Sequence, residues 1–179
     1  MRGSEWYAYV YPKNLELMKT PKILVPDIAA HSSFALDETG QYAYTSGYGI
    51  TLIPTLGEAP KYVLGLLNSK LLDFFWRSIS TPMRGGYFRY FTQYIEQLPI
   101  RRIDFTIDED ASRHDRMVGM VESMLQLHKD LPKAKTDQEK TVLQRQIATS
   151  DKQIDALVYE LYGLTEEEIK IVEGTSHGS

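Results

Sequence analysis

Two arginines and a glutamine lie close together in the segment "STPMRGGYFRYFTQYIEQLPI", residues 80–100. Arg84 and Arg89 can each donate a fork of hydrogen bonds to a guanine edge or to a phosphate. Gln93 can pair with an adenine edge, and tyrosine hydroxyls can hold phosphate oxygens. These residue types are compatible with a surface that contacts nucleic acid. The same segment carries five aromatic rings, those of Tyr87, Phe88, Tyr90, Phe91 and Tyr94.

The pair Gly85-Gly86 fits two interpretations of this segment. Adjacent glycines allow positive φ angles and let the backbone approach a partner closely, as a DNA-facing loop requires. They also suit a turn into an aromatic strand that packs on the preceding helix. Residue types alone leave both interpretations open. Weaker candidates for DNA contact elsewhere are Lys13, Asn14, Ser46, Tyr48 and Tyr87.

Patterns for catalysis or metal binding are not found in the sequence. Gly47 and Gly49 lack the third glycine of the dinucleotide fingerprint, and Asp27 with Glu38 lacks the lysine expected of a nuclease site. No nucleophile, base and orienting group come together, so we predict a binding module with no catalytic residue. A metal site is not expected either, because no H-x-x-x-H pair occurs among His31, His114, His128 and His177.

Composition divides the chain into two regions. The 179 residues suit one domain, or one domain with an extension. The net charge of −4 argues against an undirected nucleic-acid binder, but residues 1–100 hold 9 Lys/Arg against 8 Asp/Glu, whereas residues 101–179 hold 11 against 16. Of the 20 aromatic residues, 17 precede residue 101. The lack of cysteine, of a signal peptide and of a long apolar run predicts a cytoplasmic protein.

The first region has a mixed pattern of strands and a helix. The apolar run in "PKILVPDIA", residues 21–29, predicts a strand limited by its prolines. Alternating residues on both sides of "DETG" predict a hairpin within residues 33–54. Residues 59–80 predict one amphipathic helix, whose apolar stripe is Val63, Leu64, Leu67, Leu71, Phe74 and Phe75.

The second region predicts helices. The first runs over residues 112–131, and a capping box of Thr136 with Glu139 begins a second that ends at Gly163. The polar "PKAKTD" between them predicts an antiparallel helical hairpin. A short helix, "EEEIKIVEG", follows. The stripes expected to meet in the hairpin are Met117, Val121, Met124, His128 and Leu131 on one helix and Leu143, Ile147, Ile154, Leu157 and Leu161 on the other.

Several blocks of residues resemble the TaqI-like C-terminal specificity domain. "PKILVPDIAAHSSFALDETGQYAYTSGYGI", "YVLGLLNSKLLDFFWRSIST" and "RGGYFRYFTQYIEQLPI" have the order and spacing of that family, and "LLNSKL" and "EQLPI" are the most specific marks. The resemblance covers roughly residues 6–105, and the end of the chain is similar to the helical tail of such enzymes.

The resemblance implies a target recognition domain of a restriction-modification adenine methyltransferase or fused restriction enzyme. In that family a separate N-terminal domain binds S-adenosylmethionine and receives the flipped adenine at an Asn-Pro-Pro-aromatic motif. This sequence contains no such motif, so no cofactor is expected in this chain, and the methyl donor is expected in a catalytic domain outside it. The partners implied are double-stranded DNA and that methyltransferase domain.

These observations predict an α+β fold in two parts. Residues 1–105 are expected to form a mixed α/β DNA target recognition domain, and residues 106–179 a helical hairpin with a short terminal helix. The predicted function is sequence-specific recognition of duplex DNA. The alternative is a protein-interaction module, in which the helical hairpin docks another restriction-modification subunit and the aromatic segment is core.

Overall fold

The computed structural model describes residues 15–44 and 46–174, and it confirms the predicted α+β class. The strands are β1 Lys22–Val25, β2 Ile28–Ala29, β3 Ala35–Asp37, β4 Tyr48–Ile50 and β5 Phe88–Arg89. The helices are α1 Leu15–Met18, α2 Pro60–Leu67, α3 Lys70–Ile79, α4 Thr92–Ile95, α5 Asp108–Asp130, α6 Asp137–Tyr162 and α7 Glu166–Gly174. Two 3-10 turns lie at Pro54–Leu56 and Leu131–Lys133.

Strand β1 is the centre of a three-stranded sheet of order β3-β1-β4. It pairs antiparallel with β3, where Ile23 faces Leu36, and with β4, where Val25 faces Tyr48. The predicted strand is therefore confirmed, but the predicted hairpin is wrong, because β3 and β4 each pair with β1 and not with one another. Alternation correctly indicated that both segments are strands but does not specify their partner. Both pair with β1, which is buried in the centre of the sheet, with Ile23 only 1% exposed.

Asp37, which lies where the hairpin turn was predicted to begin, forms a buried ion pair with Lys22 of β1. Its carboxylate lies 2.6 Å from Lys22 Nζ, and both side chains are buried. Lys22 also donates to the carbonyl of Met18, while the amides of Gln41 and Tyr42 donate to Asp37. Burial alone would raise the pKa of Asp37, but the hydrogen bonds from Lys22, Tyr42 and Gln41 outweigh it and hold that pKa well below its ordinary value. The residues after β3 are thus folded around one carboxylate.

The single helix predicted over residues 59–80 is two helices, α2 and α3. Ser69 interrupts it because its Oγ accepts the amide of Leu72 at 3.3 Å and so caps the start of α3. The break shifts the buried face by one residue. Leu72 and Trp76, at 1% and 2% exposure, are buried in α3, whereas the predicted stripe residues Leu71, Phe74 and Phe75 are only half-buried.

Helices α5 and α6 form the predicted antiparallel hairpin. Arg113, near the start of α5, donates to Glu160, near the end of α6, at 2.8 Å. The capping box of Thr136 with Glu139 is confirmed by hydrogen bonds in both directions, and Gly163 ends α6 with φ 66°. In α5 the predicted stripe is buried at Met117, Val121 and Met124.

His128 is exposed, contrary to its predicted place in the apolar stripe of α5. An imidazole needs hydrogen-bond partners that an apolar stripe does not supply. Burial raises the pKa of Asp151 on α6, and the nearby His128 opposes that shift. No described helix has the length and apolar character needed to cross a membrane.

The hairpin of α5 and α6 shares one core with α2. Gly65 of α2 lies so close to α5 that a Cβ atom there would stand 2.6 Å from the sulfur of Met117 and 2.9 Å from a methyl of Val121. The buried side chains of α6, among them Ile154 and Leu157, belong to the same cluster. Position 65 therefore needs a residue without a side chain.

Candidate nucleic-acid interface

A tight turn at Gly85 and Gly86 reverses the chain between Met83 and Tyr87. Both glycines have positive φ angles, 86° and 77°, which other residues adopt only with strain. The amide of Met83 donates to the carbonyl of Tyr87 at 2.7 Å and closes the turn. Strand β5 then pairs antiparallel with β2, and Phe88 also bridges Pro82 on its other side. We call this pair of strands, β2 and β5, the ribbon.

Side chains along residues 87–91 alternate between two faces. Phe88 and Tyr90 point toward α3: the guanidinium of Arg77 lies 5.4 Å from the centre of the Phe88 ring, and Tyr90 is 1% exposed. On the other face Tyr87 is 48% exposed. Arg89 lies on that outer face with its guanidinium 5.4 Å from the ring centre of Phe91. Alternate residues therefore pack on α3 or face outward, which confirms the packing of an aromatic strand on the helix, while DNA contact by the outer face stays a prediction.

Helix α3 supports the inner face of the ribbon. The ring of Trp76 stacks on Tyr90 and meets the ring of Tyr94 edge-on at 6.0 Å. Burial raises the pKa of the Tyr90 hydroxyl to about 12, so this ring stays neutral at ordinary pH. Ser80, at the end of α3, donates to the carbonyl of Arg89 at 2.9 Å. The position of Arg89 is thereby tied to the rigid helix beneath it.

Arg77 fixes the other strand of the ribbon, a role not predicted from the sequence. It donates to the carbonyl of Ala30 and to Asp73, both at 2.8 Å, and contacts the ring of His31. Asp73 in turn accepts the amide of Ser32 at 2.7 Å. The i,i+4 spacing of Asp73 and Arg77 was the available sequence signal, but it predicts only an ordinary helical ion pair.

Arg84 and Arg89 differ from the other cations of the described segment from residue 15 to residue 100. Neither makes an ion pair or a hydrogen bond through its side chain with any residue that the structure describes. Arg84 is exposed at the turn, and Arg89 has only its contact with Phe91. The remaining cations in that segment are all ion-paired: Lys19, Lys22, Lys61, Lys70 and Arg77.

The other predicted contact residues lie at several places. Gln93 is exposed in α4. Ser46 is exposed and Tyr48 is half-buried in β4, next to the turn at Gly47, where a Cβ atom would stand 2.5 Å from the carbonyl oxygen of Val25. Lys13 and Asn14 lie outside the described residues.

The turn at Gly47 and strand β5 of the ribbon both contact Asp27, in the short linker between β1 and β2. A Cβ atom at Gly47 would lie 3.5 Å from the amide nitrogen of Asp27, and the carbonyl of Asp27 accepts the amide of Tyr90 at 3.0 Å. Ser46 therefore lies near the same end of the sheet as the ribbon. Among residues 15–44 and 46–174, no cluster of three or more His, Asp or Glu side chains could hold a metal ion.

The block "LLNSKL" is a structural joint. The side chain of Asn68 accepts the amide of Phe34 at 2.9 Å and donates to the carbonyl of the same residue at 3.0 Å. The amide of Lys70 donates to Asp155 of α6 at 2.9 Å, and the Lys70 ammonium lies 3.5 Å from Glu173 of α7. Burial raises the pKa of Asp155, although its bond from Lys70 opposes that shift.

The block "EQLPI" is a second joint to the C-terminal helices. The hydroxyl of Tyr162 donates to the carbonyl of Pro99 at 2.5 Å and accepts the amide of Arg101 at 3.1 Å. The carbonyl of Arg101 accepts the hydroxyl of Tyr62 in α2 at 2.9 Å. These two blocks, residues 66–71 and 96–100, therefore hold the α/β region on the C-terminal helices.

The fold and this surface define a mixed α+β module that presents an arginine-bearing ribbon on a helical support. The chain belongs to the family of TaqI-like C-terminal specificity domains, whose model matches residues 4–100. This finding confirms the resemblance seen in the sequence.

Curated relatives of the chain are type II restriction-modification enzymes. It is 26% identical over 177 residues to the type II restriction enzyme and methyltransferase RM.Eco57I of Escherichia coli, covering 95% of this chain and 18% of that protein. It is 26% identical to the type II methyltransferase M.BstVI of Geobacillus stearothermophilus, covering 95% of this chain and 25% of the relative. It is 27% identical to the type II methyltransferase M.XhoI of Xanthomonas vasicola, covering 91% of this chain and 24% of the relative. The chain spans a quarter or less of the length of these relatives.

Proposed function

We propose that the chain recognises a specific duplex DNA sequence on behalf of an adenine methyltransferase, or of a fused restriction enzyme, and contributes no catalytic group. The observation that carries this proposal is the placement of Arg84 and Arg89. In a segment whose other described cations are neutralised by carboxylates, these two are left for an external anion or base. Membership of the specificity-domain family supports the same function.

The shape of the ribbon fits the major groove. That groove, about 12 Å wide, admits a two-stranded ribbon and displays a distinct donor and acceptor pattern for each base pair. Arg84, at the turn, and Arg89, on the outer face, can reach different positions along the DNA. A bidentate contact to guanine would give one of them a role in specificity, and a phosphate contact would give the other a role in general affinity. Tyr87 and Gln93 are also exposed.

Arginine substitutions in the 179-residue chain test the proposal. A preferred duplex is first selected from randomised oligonucleotides, and binding is then measured by fluorescence anisotropy over a range of salt concentrations. We expect Arg84→Ala or Arg89→Ala to lose about 1–3 kcal/mol of discrimination where the arginine reads guanine, or to lower the salt slope by about 1 where it holds a phosphate. Arg145→Ala is the matched control, since this arginine is exposed on α6 and also lacks an ion pair with a described residue.

The proposal fails if both ribbon variants keep the affinity, the discrimination and the salt dependence of the wild type. Selective binding that is insensitive to salt would also contradict it, because phosphate contacts release counterions.

The methyl donor provides a separate test. We propose that S-adenosylmethionine binds to a domain outside this chain, because the sequence holds neither a glycine-rich donor site nor an Asn-Pro-Pro-aromatic motif. Calorimetric titration of the chain with S-adenosylmethionine should give no binding heat. One-to-one binding at micromolar concentration would show that this chain itself contains a site for the methyl donor.

A docking role for the helical hairpin is the second candidate. An open groove of about 880 Å³ lies along α5 and α6, lined partly by Leu125 and Val142, and Val142 is 47% exposed. Against it, the buried stripe of α6, with Ile154 and Leu157, already packs in the core of this chain. Docking through the groove would survive high salt, whereas DNA binding would not.

A further inference from the structure

Ile28 lies directly across the ribbon from Arg89. The register of the antiparallel pair places Ile28 opposite Arg89 and Ala29 opposite Phe88. Residues directly opposite each other in such a pair project on the same face, with Cβ atoms roughly 4.5–5.5 Å apart. Since Phe88 faces α3, Ile28 shares the outer face with Arg89.

Ile28 is exposed on the outer face of the ribbon, unlike the apolar residues of β1. Its side chain is 39% exposed, whereas Ile23 and Val25 of the preceding strand are 1% and 4% exposed. A single exposed apolar residue is common on protein surfaces and needs no explanation by itself. Here, however, it stands beside an arginine without a carboxylate partner, on the face that the proposed function assigns to DNA.

A branched alkyl group has one preferred contact in the major groove. Thymine alone among the four bases carries a methyl group there, at C5, and apolar side chains contact it. Neighbouring bases on a strand are about 3.4 Å apart, so two side chains paired across a ribbon can meet adjacent or next-adjacent positions. We propose that Ile28 is a specificity-determining residue that contacts the C5 methyl group of a thymine close to the position contacted by Arg89. This inference rests on the proposed function and extends it to a second type of contact.

Deoxyuridine substitution tests this inference at the level of one methyl group. The selected duplex is prepared with each thymine replaced in turn by deoxyuridine, which keeps the pairing and removes only the methyl group. We expect one such substitution to weaken binding of the wild-type chain about fourfold, as expected for the loss of one buried methyl-sized group. For Ile28→Ala, the thymine and deoxyuridine duplexes should bind equally well. Ile107→Ala, which changes an exposed isoleucine directly before α5, should keep the fourfold difference.

A second variant tests the role of Ile28 in case Ile28→Ala is destabilised. Ile28→Thr keeps β-branching, and therefore the strand preference, while it replaces one apolar arm by a hydroxyl group. It should melt like the wild type and discriminate less between thymine and deoxyuridine.

The outcomes separate this inference from the proposed function. A selected site without thymine, or a deoxyuridine effect that persists in both Ile28 variants, overturns the role of Ile28 and leaves salt-dependent selective binding intact. If the wild-type chain selects no sequence at all, the proposed function fails and this inference fails with it.

Discussion

The rings of Trp76 and Tyr90 are stacked, with centroids 4.3 Å apart and planes 11° from parallel. Trp76 belongs to α3, and Tyr90 directly follows the outward-facing Arg89 in the chain. The start of α3 is held by Asp155 of α6 through the amide of Lys70. One helix therefore connects the C-terminal hairpin to the proposed DNA-contacting ribbon.

Loss of the Trp76 ring should destabilise the chain and disrupt the ribbon. Trp76 is 2% exposed, so Trp76→Ala should lower the free energy of unfolding by about 3–5 kcal/mol, measured by urea denaturation. Tyr87→Ala removes an aromatic ring from the outer face of the same segment, where it is 48% exposed, and should change stability by less than about 0.5 kcal/mol. Equal losses from the two variants would contradict the assignment of inner and outer faces.

Much of the fold could be predicted because its signals are local. The capping box of Thr136 with Glu139 and the terminal Gly163 mark helix ends through bonds within a few residues. The pairing of β3 and β4 with β1 could not be predicted, because alternation identifies a strand and says nothing about its partner. The break between α2 and α3 was not predicted because apolar residues recur at helical spacing on both sides of the polar residues 68–70, while the cap at Ser69 is a short signal.

The candidate site was only partly predictable. Arg84 and Arg89 stood out by residue type, but whether a carboxylate neutralises them depends on residues distant in the chain. Lys70, by contrast, is neutralised by two residues distant in the chain, Asp155 and Glu173. The outward position of Ile28 likewise depends on its register with β5, which no local pattern specifies.

Two glycines in the helical region should respond in opposite directions to substitution by alanine. Gly119 lies inside α5 with open space where a Cβ atom would stand, so Gly119→Ala should raise the free energy of unfolding by about 0.5–1 kcal/mol. Gly163 also has open space, but its φ of 66° is left-handed, so Gly163→Ala should lower that free energy by about 1–2 kcal/mol. Thermal melts of both variants provide the measurement. A stabilising Gly163→Ala would show that α6 does not end in this conformation.

The buried carboxylate of Asp37 should make folding sensitive to acid. Because its folded pKa lies below the ordinary value of 3.8, its contribution to stability is present above that value and is lost as the pH falls below it. Asp37→Asn should therefore be clearly less stable than the wild type at pH 7, and the difference should narrow as the pH falls below 3.8. Urea melts at several pH values measure it. Glu96→Gln changes an exposed carboxylate that has no ion pair with a described residue, and it should follow the wild-type curve. A stability difference for Asp37→Asn that stays constant with pH would exclude the predicted linkage.

Burial of Ile154 should be essential to the helical hairpin. The residue is 8% exposed in the core cluster, and burying such a side chain is worth about 1.5–3 kcal/mol. In Ile154→Asp that contribution is lost and an unpaired carboxylate is placed in the core, so we expect destabilisation of more than about 3 kcal/mol, with loss of helical circular dichroism at lower urea concentrations.

Ala156→Asp introduces the same charge two residues away on the exposed side of α6 and should cost less than about 1 kcal/mol, mainly through the lower helix propensity of aspartate. The comparison isolates burial from charge, because both variants add one aspartate to the same helix. If Ile154→Asp melted like Ala156→Asp, the stripe of α6 would not be buried, and α6 could not hold α3 and the ribbon through Asp155.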